Sequence, residues 1–186
     1  MNRHQRRAAK ASAKKEPTGG LFTQRGTLPP ETPRETHSLL AHWRQNIESS
    51  WGDDAPPMIF VGHRDDGESL AIVPTVKGRV PGSKADAINA IAQAFKDFGA
   101  VRYVFSMELD TWSWGENIDP SDDANRMTRL LAGAVGEDGI KSVGAYEIGV
   151  SSEGKRTLSN WELSAEPKGW MLDLLGRTDD KPTSVH

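Results

Sequence analysis

The chain has 186 residues, 36% of them apolar, with 23 Lys and Arg against 26 Asp and Glu, and no cysteine. That length suits one domain plus tails. The missing cysteines exclude disulfides, thiolate zinc sites and a cysteine nucleophile, and fit a reducing cytoplasm. No apolar run approaches the roughly 18 residues of a membrane span, and no apolar stretch follows the basic start as a secretory signal requires.

Charge is divided unevenly. Residues 1–15, MNRHQRRAAKASAKK, carry Arg3, Arg6, Arg7, Lys10, Lys14 and Lys15 and no acid. The remainder holds 17 basic and 26 acidic residues, a net charge of about −9. Four alanines favour helix in this head, but no Leu, Ile or Phe is present to dock one. The expectation is a disordered basic arm. It would tether the protein to nucleic acid or to an acidic partner, or serve only as a solubilising tail. Residues 17–34 hold four Pro and three Gly and read as a linker. Residues 1–31 are thus an arm and a Pro/Gly linker, 32–176 the globular domain, and 177–186 a frayed tail.

The first helix is predicted from a capping box, with Thr32 as N-cap, Pro33 at the first helical position and Glu35 at the third. Leu40, Trp43, Ile47 and Trp51 follow at helical spacing, and Gly52 ends it. Two strands, 58–62 and 69–76, flank an Asp66-Gly67 hairpin turn. A second helix starts at Ser83. Its stripe is Ile88, Ile91, Ala92, Phe95 and Phe98, and Gly99 terminates it. Strands follow at 101–109, 126–135, 141–150 and 156–164, joined at Asp138-Gly139 and Glu153-Gly154 by tight turns. Those turns imply an antiparallel meander. Residues 169–175 close the domain as a short helix or packed segment. The predicted fold is α+β: a single antiparallel sheet of hairpin, helix and four-strand meander, with helices packed on one face. This element order resembles roadblock-like and profilin-like modules, which licenses no function.

The block 105–137 carries the candidate chemistry. It holds Phe105 and Glu108 on a strand, then Trp112, then Pro120, Ser121, Asp123 and Arg126, then Glu137-Asp138-Gly139. In this it resembles a group of uncharacterised small bacterial and prophage α+β proteins that share a strand Glu, a Trp, a Pro-Ser-x-Asp-x-x-Arg loop and an acidic pair before Gly. The resemblance implies no activity, catalytic residue or cofactor.

Glu108, Glu147 and Glu162 lie on three strands of the predicted sheet. On one shared face they would bind a hard cation or do acid–base work. Arg126 and Arg129 would instead neutralise them, leaving a solvated face of cross-strand pairs. His63 beside Asp65 and Asp66 reads as a general-base candidate or as an exposed turn residue. Asp119, Asp123 and Asn125 imitate the opening of a calcium loop, but Ala124 and Leu130 stand where Gly and Glu are needed. Trp112 and Trp114 share a strand face, either as an exposed protein contact or folded back onto the core. No phosphate loop, nucleophile elbow, zinc-helix motif or dinucleotide fingerprint occurs.

No cofactor is therefore expected. The leading expectation is a cytoplasmic bacterial or prophage accessory protein acting by contact with a protein partner, or with a second copy through a sheet edge. The alternatives are a small metal-dependent or acid–base enzyme using the sheet carboxylates, and a nucleic-acid-associated factor binding through the arm.

Overall fold

The computed structural model describes residues 19–27, 32–76, 83–112 and 126–176. Seven strands form one antiparallel sheet: β1 (Gly19–Thr27), β2 (Met58–His63), β3 (Glu68–Val76), β4 (Arg102–Trp112), β5 (Arg126–Val135), β6 (Lys141–Val150) and β7 (Arg156–Leu163). The helices are α1 (Thr36–Ser50) and α2 (Ser83–Phe98), with a 3-10 turn at Trp170–Leu172. The spatial order is β1-β3-β2-β4-β5-β6-β7, and every neighbouring pair is antiparallel. The hairpin and the meander stand where their turns place them, with Gly67, Gly139 and Gly154 at positive φ. No helix among the described residues is long and apolar enough to cross a membrane.

The helices take opposite faces, not the one face expected. Tyr103, Phe105 and Met107 of β4 join Phe60, Leu70 and Ile72 in a core under α2. Val104, between them, packs with Leu39, Leu40 and Ala134 under α1. Successive strand residues point to opposite faces, so a continuous apolar run in a central strand needs cover on both sides. α2 supplies one cover through Ile88, Ile91, Ala92, Phe95 and Phe98, the stripe read from its periodicity. It ends in a Schellman motif: the Gly99 amide donates to Lys96 and the Ala100 amide to Phe95. Met171, Leu172 and Leu174 extend that core, held by Tyr103, whose hydroxyl donates to the Met171 carbonyl at 2.7 Å.

On the other face, α1 lies over β4, β5 and β6. The Trp43 indole donates to the Phe105 carbonyl at 2.9 Å. Arg44 lies over the Trp161 ring at 4.3 Å and donates from Nε to the Tyr146 hydroxyl at 3.0 Å, while that hydroxyl donates to Glu48. Burial, then the Glu48 carboxylate, push the Tyr146 phenol above its ordinary pKa.

The capping box does not form. α1 begins at Thr36, and Glu35 holds the cap position in extended conformation without a side-chain cap bond. Asp138, in the β5–β6 turn, does the capping from a distance in sequence. Its carboxylate accepts from the Thr36 amide at 3.0 Å and from the Thr36 hydroxyl at 2.6 Å. A carboxylate is favoured at a helix N-terminus, where amides lack intrahelical acceptors. These two bonds hold Asp138 below the usual carboxylate pKa. The Thr36 hydroxyl also accepts from the Gly136 amide at 2.8 Å. A Cβ on Gly136 would stand 2.5 Å from the Thr36 nitrogen, so only glycine permits this approach. Thr36→Val keeps the shape but leaves the buried Gly136 N–H without its acceptor. It should cost about 2 kcal/mol in urea unfolding, whereas Thr36→Ser should be nearly neutral. Equal stability of the two variants would refute this account of the docking.

The second correction is β1, which occupies Gly19–Thr27 inside the stretch read as linker. Its nine residues pair with β3 without a break, from Gly19 opposite Val76 to Thr27 opposite Glu68. Leu21 packs onto the α2 core, and Arg25 lies 5.8 Å from the centre of the Phe98 ring. The segment is a strand because β3 offers an open edge and α2 an apolar surface, neither of which is local in sequence. Arm residues 1–15 and tail residues 177–186 lie outside the described residues.

Candidate functional site

The three candidate carboxylates do not share a face. Glu108 pairs in register with Leu130 on the α1 side of the sheet. Arg156 meets it at 2.7 Å while lying 4.7 Å above the Trp51 ring. Glu147 pairs in register with Arg129, and Ala145 with Glu162, on the opposite side. There the Arg129 guanidinium sits between the two acids, 4.0 Å from Glu147 and 3.9 Å from Glu162. The Asn160 amide donates to Glu147 at 2.7 Å. Arg129 thus offsets part of the charge of the pair. The predicted three-carboxylate site is corrected by strand parity: Glu108 falls one position out of phase with the other two. Among the described residues no group of three or more His, Asp and Glu side chains is arranged to hold a metal.

His63 is neither in the turn nor exposed. It is the last residue of β2 and is 3% exposed. Its register partners are Ser69 on β3 and Arg102 on β4, both buried. Burial, then the Arg102 charge, then His42 of α1 bring its pKa down to about 4. The ring is therefore neutral at pH 7, and its Nδ1 has no hydrogen-bond partner. A base sealed from solvent has no route to a substrate, so this environment serves the fold.

Sequence reasoning missed the ion-pair relay beside His63. Arg102, 4% exposed at its side chain, is paired to Glu137. Glu137 is paired in turn to Arg34 at 3.2 Å, and Arg34 to Asp65 at 3.1 Å. The relay ties the segment before α1 to the β2–β3 and β5–β6 turns. Its one sequence signal is Arg102 at the start of an otherwise apolar strand.

The two outer strands differ as contact surfaces. β7 carries a bulge between the Ala145 and Glu147 pairings, with Asn160 at φ 51°. Bulges twist an edge away from further pairing. β1 has an unbroken register and bears Phe22, 60% exposed. Phe22 is opposite Val73 on β3, and Ile59 of β2 points to the same side; both are only half-buried. These three form an apolar strip beside α1, outside the core clusters.

Trp112 ends β4. Trp114, the loop residues Asp119, Asp123 and Asn125, and the arm residues Arg3, Arg6, Arg7 and Lys10 lie outside the described residues. Comparison of the chain with protein-family models, with curated proteins and with solved structures finds no match.

Proposed function

We propose that this is a bacterial or prophage accessory protein that acts by protein contact, taking an extended acidic segment of its partner along the open edge of β1, with residues 1–15 as electrostatic tether. The observation that carries the proposal is the long, regular outer strand β1 with Phe22 60% exposed on it. An edge of that kind is a template for strand addition unless something blunts it. The bulge blunts β7; the described residues of β1 carry neither bulge nor proline. The partner's acidity follows from charge: six cations lie within residues 3–15, ahead of β1 in the chain. A negatively charged strand seated there would meet them, and the tether would speed encounter in a salt-dependent way. The resemblance of block 105–137 supports the bacterial or prophage origin.

The test is capture from a lysate of the source organism with three baits: the full chain, residues 16–186 and Phe22→Asp. The expected result is one protein common to the first two, held less well at raised salt by the full chain and lost with Phe22→Asp. Its purified form should then bind with a salt slope that flattens once residues 1–15 are removed. Capture indifferent to Phe22→Asp overturns the reading. A mass that doubles with concentration makes a second copy the occupant. Retention on DNA that disappears with residues 1–15 favours the nucleic-acid alternative.

A further inference from the structure

We propose that the α2 side of strands β5–β7 is a binding site for a small monocarboxylate with an apolar body, gripped by Arg129. A cavity of about 350 Å³ opens there between the sheet and the segment 164–172. That volume lies at the small end of the range of small-molecule sites. Phe105, Leu131, Met171 and Leu172 supply apolar wall, and Arg129 lines the cavity with them.

Arg129 is the argument. A guanidinium cannot shed its charge and offers five N–H donors. Here its carboxylate neighbours stand at 3.9 and 4.0 Å, beyond hydrogen-bond distance. Its Nε is buried and has no hydrogen-bond partner. A buried cationic donor left unmet is costly, and native structures rarely carry one without a reason. The other charges lining the cavity are committed elsewhere or lie in solvent: the Lys168 ammonium is on Glu166 at 2.6 Å, both exposed, and Glu162 is exposed. Glu147, beside the cavity, takes the Asn160 amide. The planar guanidinium fork matches a carboxylate, which can take two N–H groups at once.

The same neighbours set the ligand's charge. Arg129 with Glu147 and Glu162 sums to −1. A dianion such as phosphate would meet that excess without apolar burial in return. A monoanion with a hydrocarbon or aromatic body carries less charge into it and fills the cavity besides.

The probe is octanoate, with octanol and inorganic phosphate as controls, titrated into the full chain and followed by nitrogen–proton NMR at the Arg129 Nε–H. The expected result is a saturable shift of that resonance with octanoate, roughly tenfold weaker binding of octanol, and none of phosphate. Arg129→Gln should bring octanoate down to the octanol level. Ala145→Leu, which fills the cavity while leaving the guanidinium in place, should abolish both. The proposal is overturned if millimolar octanoate leaves the Nε–H unmoved, if phosphate binds as well as octanoate, or if Ala145→Leu binds as the wild type does. Phe22→Asp should bind octanoate normally, so this site and the β1 edge stand or fall separately.

Discussion

Glu137→Gln is expected to destabilise the fold by about 3 kcal/mol at neutral pH, the cost of leaving a buried guanidinium without its counter-charge. Arg102 is the buried member of the pair, and its Nε already lacks a partner. Arginine stays charged at any working pH, so it cannot escape by neutralising. Glu137 is in a different position. It is 28% exposed and keeps Arg34 at 3.2 Å when Arg102 is gone. Arg102→Met should therefore cost distinctly less than Glu137→Gln, although it deletes the same bond. The double variant should recover part of the loss, because a methionine in that place needs no counter-charge. Urea midpoints of the wild type, both single variants and the double variant decide the matter. A Glu137→Gln cost below that of Arg102→Met would show that the guanidinium is satisfied some other way.

Most of the fold was legible because most of its signals are local. The α2 stripe, its Gly99 terminus and the turns at Asp138-Gly139 and Glu153-Gly154 each declare themselves within a few residues, and they stand where expected. What failed was non-local. β1 has two strong apolar residues, Leu21 and Phe22, between glycines and prolines. It is a strand because β3 pairs with it and α2 takes Leu21, so its sequence reads as punctuation. The α1 start moved for the same reason: a box that looked complete at Thr32 and Glu35 lost to an acid 102 residues beyond Thr36. The two-sided sheet did leave a trace. Tyr103-Val104-Phe105 is a continuous run and not an alternation, the pattern of a strand covered on both faces.

The candidate site was less legible, because a sheet site depends on register and a shift of one residue exchanges the faces. Glu108 lies opposite Leu130, and Glu147 opposite Arg129. Leu130 and Arg129 are neighbours in sequence, so they point apart and carry their partners apart with them. Nothing in the residues themselves says which pairing holds. The β2 boundary acts likewise on His63. Ending that strand at Gly62 makes the histidine a turn residue; extending it by one makes His63 the register partner of Arg102, in the interior.

That interior place has a consequence in acid. The His63 pKa lies near 4 in the native state, against about 6.5 for an unfolded chain. Burial is the first cause; the Arg102 guanidinium and His42 of α1 follow. Between those two pH values the unfolded chain takes up a proton that the folded one refuses, so stability falls as pH is lowered through the window. A shift of this size corresponds to roughly 3 kcal/mol, lost progressively from pH 6.5 and complete near pH 4. Asp138 acts in the same sense but in a lower window. Its pKa is depressed, so its contribution is present above the ordinary carboxylate range and is lost only as pH falls below that range. Urea unfolding of the wild type and His63→Gln between about pH 7.5 and pH 3 separates the two groups. Glutamine cannot charge, so the variant should lose much less stability than the wild type between pH 6.5 and 4.5, while both should weaken alike below pH 4. Parallel curves for the two proteins across the upper window would mean that His63 takes up its proton in the folded state as readily as in water, and that the buried neighbourhood of Arg102 does not exclude a second positive charge.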